Sequence, residues 1–419
     1  MSLGLSYSVT ECRLCNGDDL ERILNLKPTP AGNNFLTLEE KNQNNEPIFP
    51  LKLLFCNKCF HIQLGEVVDP THLFKENYHF VSGTSPVNVK HFENYAEDVI
   101  SRFNLKKGSF ILDVGSNDGT CLNAFKKRGM RVLGVDPAEN IAAIANKNGI
   151  ETISEFFSSS LAKTIKDKYG NPDLITSHNV LAHIEDFHGV IRAISELMNE
   201  KSVFIFEVGY FREVFNNLYF DTIYHEHLDY HTVTPLVSYF EKIGMSLFDV
   251  EEVDIQGGSL RNFVQLNSGE HVIKDSVLES LKREEIGGFT KPEELKKFQA
   301  NIDLVKKDLV DLLNDIKNEG KSIAAYGAPT KSTTLMNYFD LNNEIIDYIV
   351  DDNPLKQNKY SPLLHIPVVP SNQLFGNKEP DYLLILAWNF AESIIGKVKK
   401  TENYSGKYII PLPSVKVLE

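Results

Sequence analysis

Four of the five cysteines fall into two pairs, Cys12-x2-Cys15 and Cys56-x2-Cys59. A two-residue spacer lets one turn offer two thiolates to one ion, and four thiolates make a tetrahedral Zn2+ site with metal–sulfur distances near ~2.3 Å. In a reducing compartment such pairs are metal ligands rather than disulfides. A closed four-sulfur site keeps no open position, so its expected role is structural, holding a small lobe that has little core of its own. The 40 residues between Cys15 and Cys56 argue against a simple compact ribbon. A second group is the run Asp113 to Gly119, DVGSNDG. Gly115 and Gly119 permit a tight turn and close backbone approach to a ligand, with Asn117 between them. The G-x-G-x-x-G spacing that lets amides approach a pyrophosphate is absent. The run is acidic at both ends, so it suits a ligand without phosphate that carries positive charge, and Asp136 is placed to accept from ribose hydroxyls. A third group is Tyr224-His225-Glu226-His227, with His183 upstream. An imidazole takes a proton near neutral pH, a carboxylate orients it and a phenol polarises an oxygen. Locally nothing separates His225 from His227.

The elements that must position these groups are those of an α/β chain. FILDVG (110–115), VLGVD (132–136), DLITSHNV (173–180) and VFIFEVG (203–209) read as buried strands. Helices over 121–129 and around 141–148 alternate with them, which implies a parallel sheet covered on both faces. Asp113, Asp136, Asn179 and the YHEH loop then fall at carboxyl ends of strands, where such folds place ligands. Residues 247–254 and 259–266, joined through Gly257 and Gly258, read as a hairpin. A charged helical stretch over 275–319 looks like a connector. SIAAYGA (322–328), IDYIVDD (346–352) and DYLLILAW (381–388) open a second, smaller α/β unit. The boundaries expected are 1–75 for a zinc-binding domain, 76–275 for the cofactor domain and 276–419 for a C-terminal Rossmann-like domain.

At 419 residues the chain is too long for one core. A formal net charge of −14 disfavours a nucleic-acid partner and favours a small-molecule substrate. No run approaches the ~20 apolar residues of a membrane span, and no signal peptide is visible. The expectation is a cytoplasmic protein with no membrane partner, its oligomeric state unread.

The strand-loop-helix signature with Asp136 resembles class I S-adenosylmethionine-dependent methyltransferases. That resemblance implies a doubly wound sheet with an antiparallel hairpin at its edge. It also implies a cofactor cleft in which Asp113 and Gly115 flank the methionine moiety and Asn179 lines the wall. The full order of motifs is more specific: two C-x2-C pairs, N-Y-x-F-x-S-G-T-S (77–85), DVGSNDG, NVLAHIED (179–186), YHEH and GAPTKS (327–332). Over essentially the whole chain this resembles the C-methyltransferases of nucleotide-linked 4-keto-6-deoxyhexoses. The resemblance implies methylation at C3 through an enolate. His227 would be the base, Glu226 would orient an imidazole, and Tyr224 and Tyr78 would hold the sugar or its oxyanion. His183 would contact the sugar or its C4 carbonyl. Ser82 and Ser85, beside Tyr78, are expected at the substrate, and Lys331 and Ser332 at its diphosphate, with Asp351 on a ribose. The nucleotide and the exact sugar are not specified. The rivals are an O- or N-methyltransferase of another small molecule, a zinc-containing nucleic-acid methyltransferase, and a non-enzymatic binding module.

Overall fold

The computed structural model describes residues 5–69, 73, 81–374, 379–401 and 404–419. Its central sheet orders seven strands as Met245–Val253, Ser259–Leu266, Val203–Gly209, Leu174–His178, Phe110–Val114, Arg131–Val135 and Thr152–Ile153. The last five run parallel. Ser259–Leu266 is antiparallel to both of its neighbours. Counted along the chain, the order is 6-7-5-4-1-2-3. The strands following the chain's first and fourth therefore lead away in opposite directions, and a crevice opens at the carboxyl ends between them. Phe110–Val114 is buried along its whole length and Val203–Gly209 at all but its last residue, as apolar strands covered on both faces should be.

Both cysteine knuckles flank an antiparallel sheet formed by Leu20–Thr29, Phe49–Cys56 and Ile62–Leu64. Pairing Leu20 with Cys56 brings the two knuckles together, which resolves their long separation in sequence. The fourth strand of this sheet is Asp229–Tyr230, contributed by the chain just after the YHEH motif. The C-terminal sheet orders Val368–Val369, Ile349–Val350, Ile323–Tyr326, Tyr382–Ile385, Lys407–Ile410 and Lys416–Leu418. Only the last strand is antiparallel, so the order is the 3-2-1-4-5-6 of dinucleotide-binding folds.

The charged stretch before this sheet is more than a connector. Helix Lys297–Asn318 buries Phe298, Ile302, Val305, Leu309, Leu313 and Ile316, a three-and-four spacing that makes one apolar stripe. The stripe joins Leu51, Leu53 and Phe55 of the N-terminal sheet and Ile323 and Leu384 of the C-terminal sheet in a single core. Helix Asp275–Ile286 is anchored by Glu284, whose buried carboxylate accepts from Tyr210 Oη and from the amides of Val233 and Thr234. Those amides open helix Val233–Lys242, so an acid on a distant element serves as its N-terminal partner. On the other side, Cys12 and Leu14 pack into the core of the central sheet. The N-terminal lobe is thus wedged between the two α/β units. Among the described residues no helix is long and apolar enough to cross a membrane.

Candidate functional site

The crevice is one continuous cleft of about 1860 Å³. Pockets for single small ligands span roughly 300–1,000 Å³, so this one has room for two. Its walls come from the cofactor loop, the YHEH loop and the first turns of the C-terminal unit.

On the cofactor side Gly115 has φ +76°, and a Cβ there would lie 2.3 Å from Val180 Cγ2, so no other residue fits without displacement. The Asp136 carboxylate accepts from the amides of Asn117 (2.9 Å) and Ala138 (3.0 Å), which fixes it at the strand end. Asp113 is buried and its Oδ1 has no partner. Burial and the neighbouring Asp136 charge push its carboxyl up to about 8. A buried acid without a donor, in an acidic loop, fits a cation such as the ammonium or sulfonium of S-adenosylmethionine. Asn179, at φ +55°, donates its amide to Glu207 O and lines the wall. Gly119, by contrast, starts the helix Thr120–Lys126 behind the loop, where a Cβ would strike Ile150, and it is not a lining residue. Ser82 and Ser85 do reach the cleft, tied to the cofactor loop rather than standing free of it. The Ser82 amide donates to Asn117 Oδ1 and the Gly83 amide to Asp118 Oδ2, while Ser85 caps helix Pro86–Arg102.

At the YHEH loop His227 Nδ1 sits 2.8 Å from the Thr222 carbonyl, so that nitrogen carries the proton. Its Nε2 is then a lone-pair acceptor, 2.9 Å from Tyr224 Oη. The His183 ring lies 4.7 Å away, edge to face. Burial, with His183 adjoining, pushes His227 down to about 3, and burial pushes His183 down to about 4. His225 borders the same cleft but is 1% exposed, and its Nε2 is committed to the Pro50 carbonyl. The geometry therefore separates the two histidines that local sequence could not. At His227 the orienting group is the Thr222 carbonyl, while the Glu226 backbone hydrogen-bonds the His183 ring. Glu226 lines the cleft, and burial, offset in part by Lys356, raises its carboxyl to about 7. Tyr78 lies outside the described residues.

At the far rim Lys331 Nζ stands 3.5 Å over the Trp388 ring and donates to Asn389 Oδ1 at 2.7 Å. Burial lowers it to about 8, with Asp221 opposing. Ser332 does not join it: the residue is fully buried and its hydroxyl donates to the Pro329 carbonyl, which tightens the turn from behind. Asp351 accepts from the amides of Ala328 and Asn353, the same device as Asp136 in the first sheet.

Sequence reasoning missed one residue that lines the cleft and one buried behind it. Phe156, 81% exposed at its mouth, follows the short third strand, and its position at a strand's carboxyl end was the available signal. Glu207, which binds His91, His178 and Arg261, has no local signature.

The knuckles fit a zinc ion. The four sulfurs lie within 4.8 Å of one another, with Cys12–Cys59 at 3.5 Å and Cys15–Cys56 at 3.6 Å. Tetrahedral thiolates about 2.3 Å from zinc stand at about this spacing, roughly 3.8 Å. Each knuckle closes alike: Asn16 and Phe60, both at positive φ, donate their amides back to Cys12 and Cys56.

Three family models match the chain in order: a zinc binding domain (residues 12–74), a methyltransferase domain (89–250) and a C-methyltransferase C-terminal domain (254–413). C-methyltransferase NovU of Streptomyces niveus is 33% identical over 410 residues, covering 98% of this chain and 97% of that one. The chain belongs to this C-methyltransferase family. It is accordingly an S-adenosylmethionine-dependent C-methyltransferase with a structural zinc lobe and a class I sheet. A ubiquinone biosynthesis O-methyltransferase of Bordetella avium matches more narrowly, at 30% identity over 22% of this chain and 39% of that one. An S-adenosylmethionine-dependent methyltransferase of Clostridium acetobutylicum overlaps 43% of the chain and 92% of its own at 15% identity, with a TM-score of 0.35. The fold assignment rests on the strand order.

Proposed function

We propose that this C-methyltransferase acts on C3 of a nucleotide-linked 4-keto-6-deoxy sugar, forming an enolate with His227 as base. The observation that carries this is the His227 tautomer: a proton fixed on Nδ1 by the Thr222 carbonyl leaves the unprotonated Nε2 lone pair facing the cleft, beside a phenol. A carbon next to a ketone is the kind of carbon whose proton such a base removes, and Tyr224, released from Nε2, becomes a donor for the oxygen where charge develops. His183 supports the same oxygen. Bound S-adenosylmethionine supplies an electrophilic methyl group. Asp113, Gly115, Asn117, Asp136 and Asn179 would hold it, the first against its cationic end and Asp136 against its ribose, while Gly119 shapes the loop. Ser82 and Ser85 close the wall between cofactor and sugar. Lys331, the cation at the far rim, would take the diphosphate, and Tyr78 remains a sugar contact by resemblance alone. The division of the chain at 1–75, 76–275 and 276–419 assigns zinc, cofactor and nucleotide to successive units.

Glu226 is a second candidate base, because its raised carboxyl titrates near neutral pH. The test is to offer the protein cofactor and a panel of nucleotide-linked 4-keto-6-deoxyhexoses and to follow a one-methyl gain by mass spectrometry. Deuterium uptake from heavy water without cofactor reports the enolate separately. His227→Ala should lower both rates by about 10²–10⁴-fold. A methyl gain on a hydroxyl, with no exchange, would replace the enolate by simple O-methylation.

A further inference from the structure

Arg13 lies between the cysteines of the first knuckle, and its side chain leaves the lobe altogether. Its Nε donates to Asp229 Oδ1 at 3.0 Å, and one Nη2 donates to the carbonyls of Ile184 (2.6 Å) and Glu185 (3.1 Å). Ile184 follows His183, and Asp229 stands two residues after His227. One guanidinium therefore grips both segments that carry the paired imidazoles. Its own backbone is held in turn: the Arg13 backbone amide donates to Gln63 Oε1, and Gln63 Nε2 donates to the Glu11 carbonyl. Asp229 pairs with Gln63 in the sheet and also takes His61 Nε2 at 2.8 Å. Arg13 and Asp229 are 9% and 1% exposed at their side chains, so the charge pair is out of water and each partner needs the other. The segments touch directly through the Leu228 amide and the Ala182 carbonyl, at 2.7 Å, but that bond alone leaves Ile184 and Asp229 unlinked.

We infer that Arg13 is the positioning residue of the His183–His227 pair, coupling the geometry of the cysteine knuckle to the reaction side of the cleft. This rests on the assignment of those histidines to the chemistry. The planar fork of arginine is what the site uses. It reaches one carboxylate and two carbonyls at fixed angles, which a single ammonium cannot do. The cofactor loop draws its bonds from other residues, so cofactor affinity is outside Arg13's reach.

The test uses the full-length, zinc-loaded protein with Arg13→Ala and Arg13→Lys, read by zinc content, cofactor Kd, amide hydrogen exchange and steady-state kinetics. Expected are unchanged zinc and Kd, faster exchange in segments 181–187 and 222–231, and unchanged exchange in 110–120. kcat should fall on the order of 10²-fold, the effect of displacing a reacting group by about 1 Å, with KM for the keto-sugar within about threefold. Arg13→Lys should recover part of kcat, since the charge opposite Asp229 survives. It also carries the test if Arg13→Ala does not accumulate as zinc-loaded protein. Wild-type exchange in both segments would overturn the inference, as would loss of zinc in step with activity. Loosened segments with undiminished turnover would instead remove His183 and His227 from the chemistry, and the role of Arg13 with them.

Discussion

Binding of S-adenosylmethionine at pH 7 is expected to release close to one proton from the protein. In the ligand-free cleft Asp113 is buried, its Oδ1 lacks a donor, and burial with the Asp136 charge beside it holds the carboxyl near 8. At pH 7 such a group is about 0.9 protonated, and ionising it costs on the order of 1 kcal/mol. A cation placed against it restores the carboxylate, so about 0.9 proton leaves on binding at pH 7 and about 0.5 at pH 8. The same linkage makes the cofactor Kd roughly tenfold weaker at pH 6 than at pH 7. The sign follows from the raised pKa: in the ligand-free protein this acid favours the folded state at low pH, and that contribution is lost as pH rises through about 8. The assay is titration calorimetry in buffers of different ionisation enthalpy, where the slope of observed heat against buffer enthalpy counts protons. Asp113→Asn should abolish the release and flatten the pH dependence. A wild-type slope near zero at pH 7, with Kd unchanged from pH 6 to pH 7, would refute the placement of Asp113 against the cationic end of the ligand.

If His227 is the base, burial keeps it unprotonated to about pH 3, so kcat/KM should stay level from pH 8 down to pH 5. If Glu226 is the base, kcat/KM should fall tenfold per unit below about pH 7, and Glu226→Gln should remove turnover while His227→Ala leaves most of it. Gly115→Ala forces a left-handed φ and a 2.3 Å contact with Val180, which should cost on the order of 1–3 kcal/mol and weaken cofactor binding about 10–100-fold by calorimetry. Gly396→Ala, in open space on a C-terminal helix, should leave that affinity unchanged.

Most of the central sheet was legible because its inner strands are mainly apolar and alternate with helices, and the hairpin because Gly257 and Gly258 separate two strand-like runs; the two-residue edge strand Thr152–Ile153 is too short to show a pattern. The zinc knuckles were legible for a chemical reason, the spacing of thiols. What escaped was whatever depends on distant partners. The Thr222 carbonyl that orients His227 is a backbone group, which no residue type advertises. Ser332 reads as a phosphate ligand beside Lys331, yet its hydroxyl is spent on the turn below it. The last strands of the C-terminal sheet are short, and the connector's Glu284 looks like any surface acid until Tyr210 and Thr234 close over it.

The strand Asp229–Tyr230 has a consequence for how the protein is made. The N-terminal sheet lacks its fourth strand until the ribosome has passed residue 230, some 165 residues after Ile62–Leu64. At about 5–20 residues per second the unpaired edge waits roughly 10–30 s. During that time Asp229 is missing from Arg13 and His61, and the backbone edge of Ile62–Leu64 stays open to other chains. Zinc capture by the knuckles can precede all of this, since the four cysteines emerge within the first 59 residues. Metal loading can therefore come before the Asp229–Tyr230 strand and the YHEH loop beside it are in place, and a nascent chain holding its zinc still has an incomplete cleft.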